Sequence, residues 1–436
     1  MKIRVTGFII IVFLCTACGA YMLDNAQLDL RNSFATGDYN NTAQLIDDFR
    51  ANEVYKSKDE VLLYLEQGTI NHFAGNYSQS SSYFSTAEDR IDDLFTKSIS
   101  RALQSFIVND NSLAYDGEDY EDIYINVFKS LNYIHLNELE SALVEARRVS
   151  YKLEQLNTKY HGLVEALSKA DTTSTDQDKW KTGKSNIQNS SLGHYLSAVL
   201  FAKTNKPDDA RIEQENLLKA YQDQKTVYNF QTPSREELDI ITQPENYNVL
   251  VNIFSGRAPS KAQNDFRLYL EESDTYLKLS VPTLQIYQSQ VRSVEIVVNG
   301  ENSFYIPLIE EMDLVAKEVY KVKEPIIYAR AMVRTFLKAV AANKVKKEAA
   351  KKDETLGMLM NAFGKIAQET TEKADLRSWQ TMPGKAYASV LQLPPGEHSV
   401  NINYYNRAGF LLHTETKTLN LSGNENLTLI ESIYWN

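Results

Sequence analysis

The chain has 436 residues, 43% of them hydrophobic and 24% charged, the balance of a core-forming protein long enough for two or three domains. With 57 acidic against 46 basic side chains the net charge is −11, which argues against nucleic acid or an anionic membrane surface as the main partner. Both cysteines fall within the first 18 residues, so thiol catalysis is excluded from the rest of the chain.

The leader comes first in chain order. Lys2 and Arg4 give a positive start, Phe8 to Leu14 is apolar without interruption, and Cys15-Thr16-Ala17-Cys18 supplies small residues. This is the layout of a secretory signal. The apolar run is far short of the ~20 residues that a spanning helix needs. A Cys-x-x-Cys redox pair would need a folded βαβ setting and a tuned thiolate. A buried structural pair would need a core around it. Thr16-Ala17-Cys18 resembles instead the processing site of bacterial lipoproteins, where the cysteine is acylated and becomes the new N-terminus. That resemblance implies a signal peptide over 1–17 and lipidation at Cys18; it departs from the usual pattern at Cys15, where leucine is common. Each buried acyl methylene contributes ~0.8 kcal/mol and one chain holds only marginally, so stable anchoring takes several chains. Gly19-Ala20 after the cysteine implies an outer-membrane address facing the periplasm.

Residues 18–230 carry an internal repeat. LDLRNSFATGDYNNTAQLIDDF (28–49), LLYLEQGTINHFAGNYSQSSSYFSTAE (62–88), INVFKSLNYIHLNELESALVEARRV (125–149) and HYLSAVLFAKTNKPDDARIEQENLLKAY (194–221) each predict a helix, a short turn and a second amphipathic helix. The turns fall at Gly37-Asp38-Tyr39, Gly75-Asn76-Tyr77, Asn137-Glu138-Leu139 and Asn205-Lys206-Pro207. The copies resemble tetratricopeptide repeats. Gly68, Phe84 and Ala87, then Ser130, Tyr133, Ala142 and Ala146, then Ala198, Phe201 and Ala210 fall at that family's spacing. Small residues are needed where helix axes cross. One pair cannot bury its apolar face alone, so the copies are expected to stack into a solenoid with a concave groove for a protein or peptide. The stretch 167–190 is polar, with little to pack beyond Trp180 and Ile187, and reads as a flexible excursion.

Pro233 and Pro244 mark 231–247 as a linker. Residues 248–436 then predict a β-rich domain, with strands at VLVNIF (249–254), SVEIVV (293–298), YASVLQL (387–393), HSVNINYYN (398–406) and FLLHTETKTLNL (410–421). Arg407-Ala408-Gly409 forms the hairpin turn between the last two, and Pro394-Pro395-Gly396 opens a strand. A helical insertion spans 313–370, started or kinked at Pro325. It has an apolar stripe of Ile326, Ala329, Val333, Phe336, Leu337 and Val340. Its run of Lys344, Lys346, Lys347, Lys351 and Lys352 reads as a solvated face. The fold class is therefore multidomain α+β: a tetratricopeptide-like α-solenoid followed by a β-sandwich-like domain. The 26 tyrosines are spread evenly and read as amphipathic filler.

No catalytic constellation is visible. The histidines at 72, 135, 161, 194, 398 and 413 form no metal spacing. His72, His135 and His194 sit in the first helices of repeats, where packing is the expected role. There is no Gly-x-Ser-x-Gly elbow and no phosphate-cradling glycine loop. The acidic run Asp116 to Asp122 lacks the order of a calcium loop, and as a helix start it offsets the helix dipole. Glu145, Arg147 and Arg148 are candidate partner contacts on the repeat surface, against the alternative of ion pairs within the repeats. Arg377 and Trp379 are candidates too, with Trp379 alternatively a core anchor. Catalytic residues, metal and cofactor are expected to be none.

Taken together, GEDYEDIYINVFKSLNYIHLNELESALVEARRVSYKLEQ (117–155), NVLVNIFSGRAP (248–259), EPIIYARAMVRTFLKAV (324–340) and DLRSWQTMPGKAYASVLQLPPGEHSVNI (375–402) resemble a family of bacterial lipoproteins with tetratricopeptide-like repeats and a β-rich C-terminal domain. The resemblance implies an architecture and an envelope address rather than an activity. The expected function is a non-enzymatic, lipid-anchored scaffold for protein partners, in envelope or cell-wall assembly. The alternative is a glycan- or peptidoglycan-binding module, or an accessory of outer-membrane activators of cell-wall synthases, with aromatic residues of LPPGEHSVNINYY stacking on sugars.

Overall fold

The computed structural model describes residues 22–100, 110–171, 180–270, 275–350, 373–423 and 426–436; Cys15, Cys18, Lys351 and Lys352 lie outside them. Helices come first and sheets follow. Helix α1 (22–35) pairs with α2 (Tyr39–Ala51), α3 (Glu60–Phe73) with α4 (Tyr77–Ser100), α5 (Asp119–His135) with α6 (Leu139–Lys159), and α8 (Ser191–Lys203) with α9 (Pro207–Asp223). Helix α7 (His161–Ala170) follows α6, and α10 (Arg235–Asp239) precedes the sheets.

The repeat turns lie where their residues predict. Gly75 and Asn137 adopt φ of 82° and 59°, the left-handed conformation that ends a helix and that glycine and asparagine reach most easily. The small residue Gly68 also has its expected use. A Cβ there would stand 2.5 Å from the Phe84 ring, so the crossing of α3 and α4 admits hydrogen alone. Ser130 occupies the comparable crossing of α5 and α6, and its hydroxyl donates to the Ala142 carbonyl at 2.9 Å.

Strand β1 (Val249–Arg257) lies at the centre of a sheet ordered β10-β1-β7-β6, parallel to β10 (Thr428–Tyr434) and antiparallel to β7 (Pro383–Leu391), with β6 (Leu308–Glu310) at the edge. A second, antiparallel sheet is ordered β5-β4-β8-β9: β4 (Ser293–Val298), β5 (Asn302–Ile306), β8 (Gly396–Tyr405) and β9 (Leu411–Leu421). Val249, Val251 and Ile253 of β1 join Val294, Ile296, Val400 and Ile402 in the core between the sheets. Leu250 and Phe254 point the other way and join the core of the helices. Burial on both faces is why VLVNIF, apart from Asn252, is apolar without alternation. The molecule is thus layered as helices, central sheet, outer sheet.

A third element, the hairpin of β2 (Ser260–Leu270) and β3 (Thr275–Gln285), lies against α11 (Met312–Ala350), where Leu279 and Val281 contact Ala331. In α11 the predicted stripe is buried at Ile326, Ala329 and Val333, with Leu337 packed beside it; the side chains of Phe336, Val340, Lys344, Lys346 and Lys347 lie outside the described set. The segment 231–247, read as a linker, carries α10 and buries Leu238, Ile241 and Tyr247.

The polar stretch 167–190 differs from its sequence reading at 180–190. Trp180 and Ile187 are both buried, and the Trp180 Nε1–H donates to Asp171 at 2.9 Å. The physical reason lies in Pro325. A proline inside a helix has no N–H for the carbonyl four residues back, here that of Lys321. Gly183 nestles at that point, its N–H donating to the Val322 carbonyl at 3.0 Å. A Cβ on Gly183 would stand 1.9 Å from the Lys321 oxygen. We expect Gly183→Ala to lower the unfolding free energy by about 1–3 kcal/mol, read as a lower urea midpoint, the usual scale for a local steric conflict. A wild-type midpoint would show that the segment moves aside freely.

Candidate functional site

The first helices of the pairs face the C-terminal half, and their polar residues are spent there. Glu66 of α3 accepts the Gln380 N–H at 2.6 Å on one oxygen, and the Thr381 hydroxyl at 2.6 Å on the other. Glu121 of α5 accepts the Trp379 N–H at 2.6 Å and the Tyr115 hydroxyl at 2.6 Å. Glu310 on β6 takes the hydroxyls of Tyr124, Ser190, Ser191 and Tyr228 at 2.8 to 3.1 Å, closing the N-terminus of α8. Glu431 on β10 is held by His135 at 2.6 Å and by His72 at 3.2 Å, while the His72 Nδ1 meets Asn132 at 2.7 Å. The groove expected for a partner along α3, α5 and α8 is therefore filled by the chain's own segment 378–382, by β1, β6 and β10, and by aromatic contacts such as Phe128 with Phe254.

This placement corrects two expected partner contacts. Arg377 is 7% exposed, and its guanidinium donates to Asp59 at 2.9 Å, to Asp375 at 2.7 Å and to the carbonyls of Lys58, Asp110 and Leu113. Trp379 is buried between Phe84 and Phe128, its indole N–H donating to Thr69 at 2.8 Å. Both are internal anchors. Glu145 is a third correction: it is buried, 3.0 Å from Lys129 and 2.6 Å from the Asn126 amide.

The acidic run 116–122 is likewise drawn into ion pairs, Asp119 with Lys159 at 2.7 Å and Asp122 with Lys152 at 2.6 Å. Among the described residues no group of three or more His, Cys, Asp or Glu could hold a metal ion, and no helix is long and apolar enough to cross a membrane. The aromatic residues of LPPGEHSVNINYY do not form an open platform: Tyr404 is buried and the Tyr405 hydroxyl donates to Glu295 at 2.8 Å.

What remains open is the other side of the helix pairs. A cavity of about 400 Å³ lies between α6, α8 and α9. On its rim Val144 and Tyr151 are 59% and 61% exposed, and they lie two turns apart on α6. Arg147, one turn after Val144, rests over the Phe201 ring at 5.6 Å and has no acidic partner among the described residues. Arg148 reaches Glu88 at 3.0 Å but stays 41% exposed. On the floor, His194 Nδ1 meets Glu213 at 2.6 Å and its Nε2 lies 3.5 Å from the Ser150 hydroxyl. The residue types are those of acyl transfer, but Ser150 sits in mid-helix, where its backbone N–H closes the helical ladder and cannot serve an oxyanion. The chain Glu213–His194–Ser150 holds an imidazole in place on a groove wall.

No family model matches this sequence, and no curated protein and no solved structure is significantly similar to it.

The buried carboxylates were not found by sequence reasoning, apart from Glu121 as part of the acidic run. Their signal is faint: Glu66 in LLYLEQG and Glu431 in LIESIY are lone acids inside apolar runs. Their environments push them apart. Burial raises both Glu66 and Glu121 to about 7, with nearby Glu118 adding to the rise at Glu121. Burial alone would raise Glu431 as well, yet His72 and His135 hold it well below the usual carboxylate range. Because Glu66 binds its proton more tightly folded than unfolded, its favourable contribution is full below pH 4.5 and is lost as pH rises to about 7. The loss is on the order of 3 kcal/mol for a shift of that size. We expect wild-type unfolding free energy, measured by urea titration, to fall between pH 5 and 8. Glu66→Gln should remove about a third of that slope, the remainder being Glu121 and Asp313, which burial also raises to about 7; an unchanged slope would show that Glu66 does not titrate in this window.

Proposed function

We propose that this protein is a lipid-anchored, non-enzymatic scaffold of the bacterial cell envelope. Its helix pairs, arranged as tetratricopeptide-like repeats, engage a protein partner through the outer groove between α6, α8 and α9. The observation that carries the reading is the division of the repeat surface. The first helices are closed off by the C-terminal sheets, whereas α6 presents Val144, Arg147 and Tyr151 to solvent. An arginine without an acid between two exposed apolar side chains fits a protein segment carrying a carboxylate beside an apolar residue. The anchor rests on the leader, where Thr16-Ala17-Cys18 follows a charged start and an apolar run.

Two measurements test these parts separately. Mass spectrometry of the mature N-terminus should show Cys18 as the first residue with fatty acyl chains attached, and Cys18→Ser should move the protein to the soluble fraction. A native protein without fatty acid would end the anchor reading. A photo-crosslinking residue at position 151, in intact cells, should give a discrete adduct that Arg147→Glu abolishes, whereas the same residue at exposed position 410 on the outer sheet should not share it. Identical adducts at both positions, or none at 151, would remove the groove as the docking surface.

A further inference from the structure

A second cavity, of about 190 Å³, lies between the end of α4, the loop 110–118, the β2–β3 hairpin and α11. Its charge arithmetic is informative. Every acid on its wall is already committed: Glu118 to Lys261 at 2.6 Å, Asp116 to Lys323 at 3.3 Å, Asp110 to Arg334 at 3.2 Å and Asp375 to Arg377 at 2.7 Å. Two cations on the same wall, Lys97 from α4 and Arg330 from α11, have no acidic partner among the described residues. Arg330 is the more telling. Its Nε is shut off from solvent and has no hydrogen-bond acceptor among the described residues, an unfavourable state for a charged group. The nearby Lys323, itself held by Asp116 and Glu118, repels Arg330 instead of satisfying it. The rest of the wall is apolar, with Leu94, Leu113, Pro282 and Ile327.

Two cations without an acidic partner among the described residues, beside apolar side chains, select one kind of ligand. A cation is repelled, a neutral apolar molecule leaves the guanidinium unsatisfied, and a small inorganic anion leaves the wall uncovered. We propose that this cavity binds an anion with a short apolar body, its carboxylate or phosphate head accepting from Arg330 and Lys97 while the apolar part covers Leu94, Leu113 and Ile327. Because the cavity and the α6–α9 groove share none of these residues, the assignment stands independently of the scaffold reading.

Isothermal titration of the purified full chain with octanoate, octyl phosphate, octanol and inorganic phosphate, each below its micellar concentration, tests it. Octanoate or octyl phosphate should bind at least about tenfold more tightly than octanol and inorganic phosphate, and the better of the two identifies the head group. Arg330→Gln should weaken that binding about tenfold or more, the scale of a lost charged hydrogen bond. Lys97→Gln, at an exposed position, should weaken it a few-fold and serves in case the Arg330 variant does not fold. Equal binding of octanol, unchanged affinity in both variants, or no binding by any of the four compounds would overturn the proposal.

Discussion

Four carboxylates out of reach of water tie the helical half of this protein to its sheets. Glu66 and Glu121 project from helices and accept from backbone N–H groups at 379–381; Glu310 and Glu431 project from strands and accept from helix side chains. A buried carboxylate is tolerable only when its oxygens are nearly saturated with donors, and removing one partner of such an arrangement typically costs about 3–5 kcal/mol. The arrangement therefore does more than fill space. Apolar contacts between α3, α5 and the central sheet would tolerate a sliding of one surface over the other. Carboxylates that each demand particular donors do not, so they set one register between the two halves.

That register has a consequence for the reading as separate repeat and sheet modules. Residues of α1, α3, α5 and α8 share a single core with β1, β7, β10 and α11. Phe34 of α1 reaches Trp435, next to last in the chain, at 5.7 Å between rings. A helical array that stood alone would need its own polar end and its own open face. Here the sheet supplies the cover, and polar residues on the first helices serve inward bonds instead of a ligand.

How much of this was legible in the sequence follows from the range of the interactions involved. Turns at Gly75 and Asn137 and the crossing at Gly68 depend on neighbours within a few turns of helix, so their residue types reveal them. Strands β1, β4, β7, β8 and β9 carry β-branched or alternating runs and were visible for the same reason. Strand β10 was missed because Glu431 and Ser432 interrupt its apolar run, and they interrupt it to meet His135 and Tyr404. The partners of Glu66 lie more than three hundred positions away, so no local period records them. Gly183 was unreadable in a related way: it is needed for a close approach to the Lys321 carbonyl, more than a hundred positions along the chain. Arg377 and Trp379 looked like surface recognition residues, since an arginine beside a tryptophan is also what a binding site uses. Only the five acceptors around the guanidinium distinguish the two uses.

The same accounting of donors and acceptors separates the charges that build the fold from those left over. On α6, Glu145 and Lys152 are absorbed by Lys129, Glu88 and Asp122; burial alone would raise Glu88, yet Lys152, Lys129 and Arg148 around it hold it down to about 2. Arg147, two positions along from Glu145, points to the other side of the helix and meets a ring rather than an acid. Arg330 on α11 has no acidic partner among the described residues, and its Nε has no acceptor there. A chain with an excess of acids over bases has carboxylates to spare, so an arginine left without one is not explained by shortage. Both arginines stand at cavities and beside apolar side chains, which is where a charge retained for a ligand would have to stand.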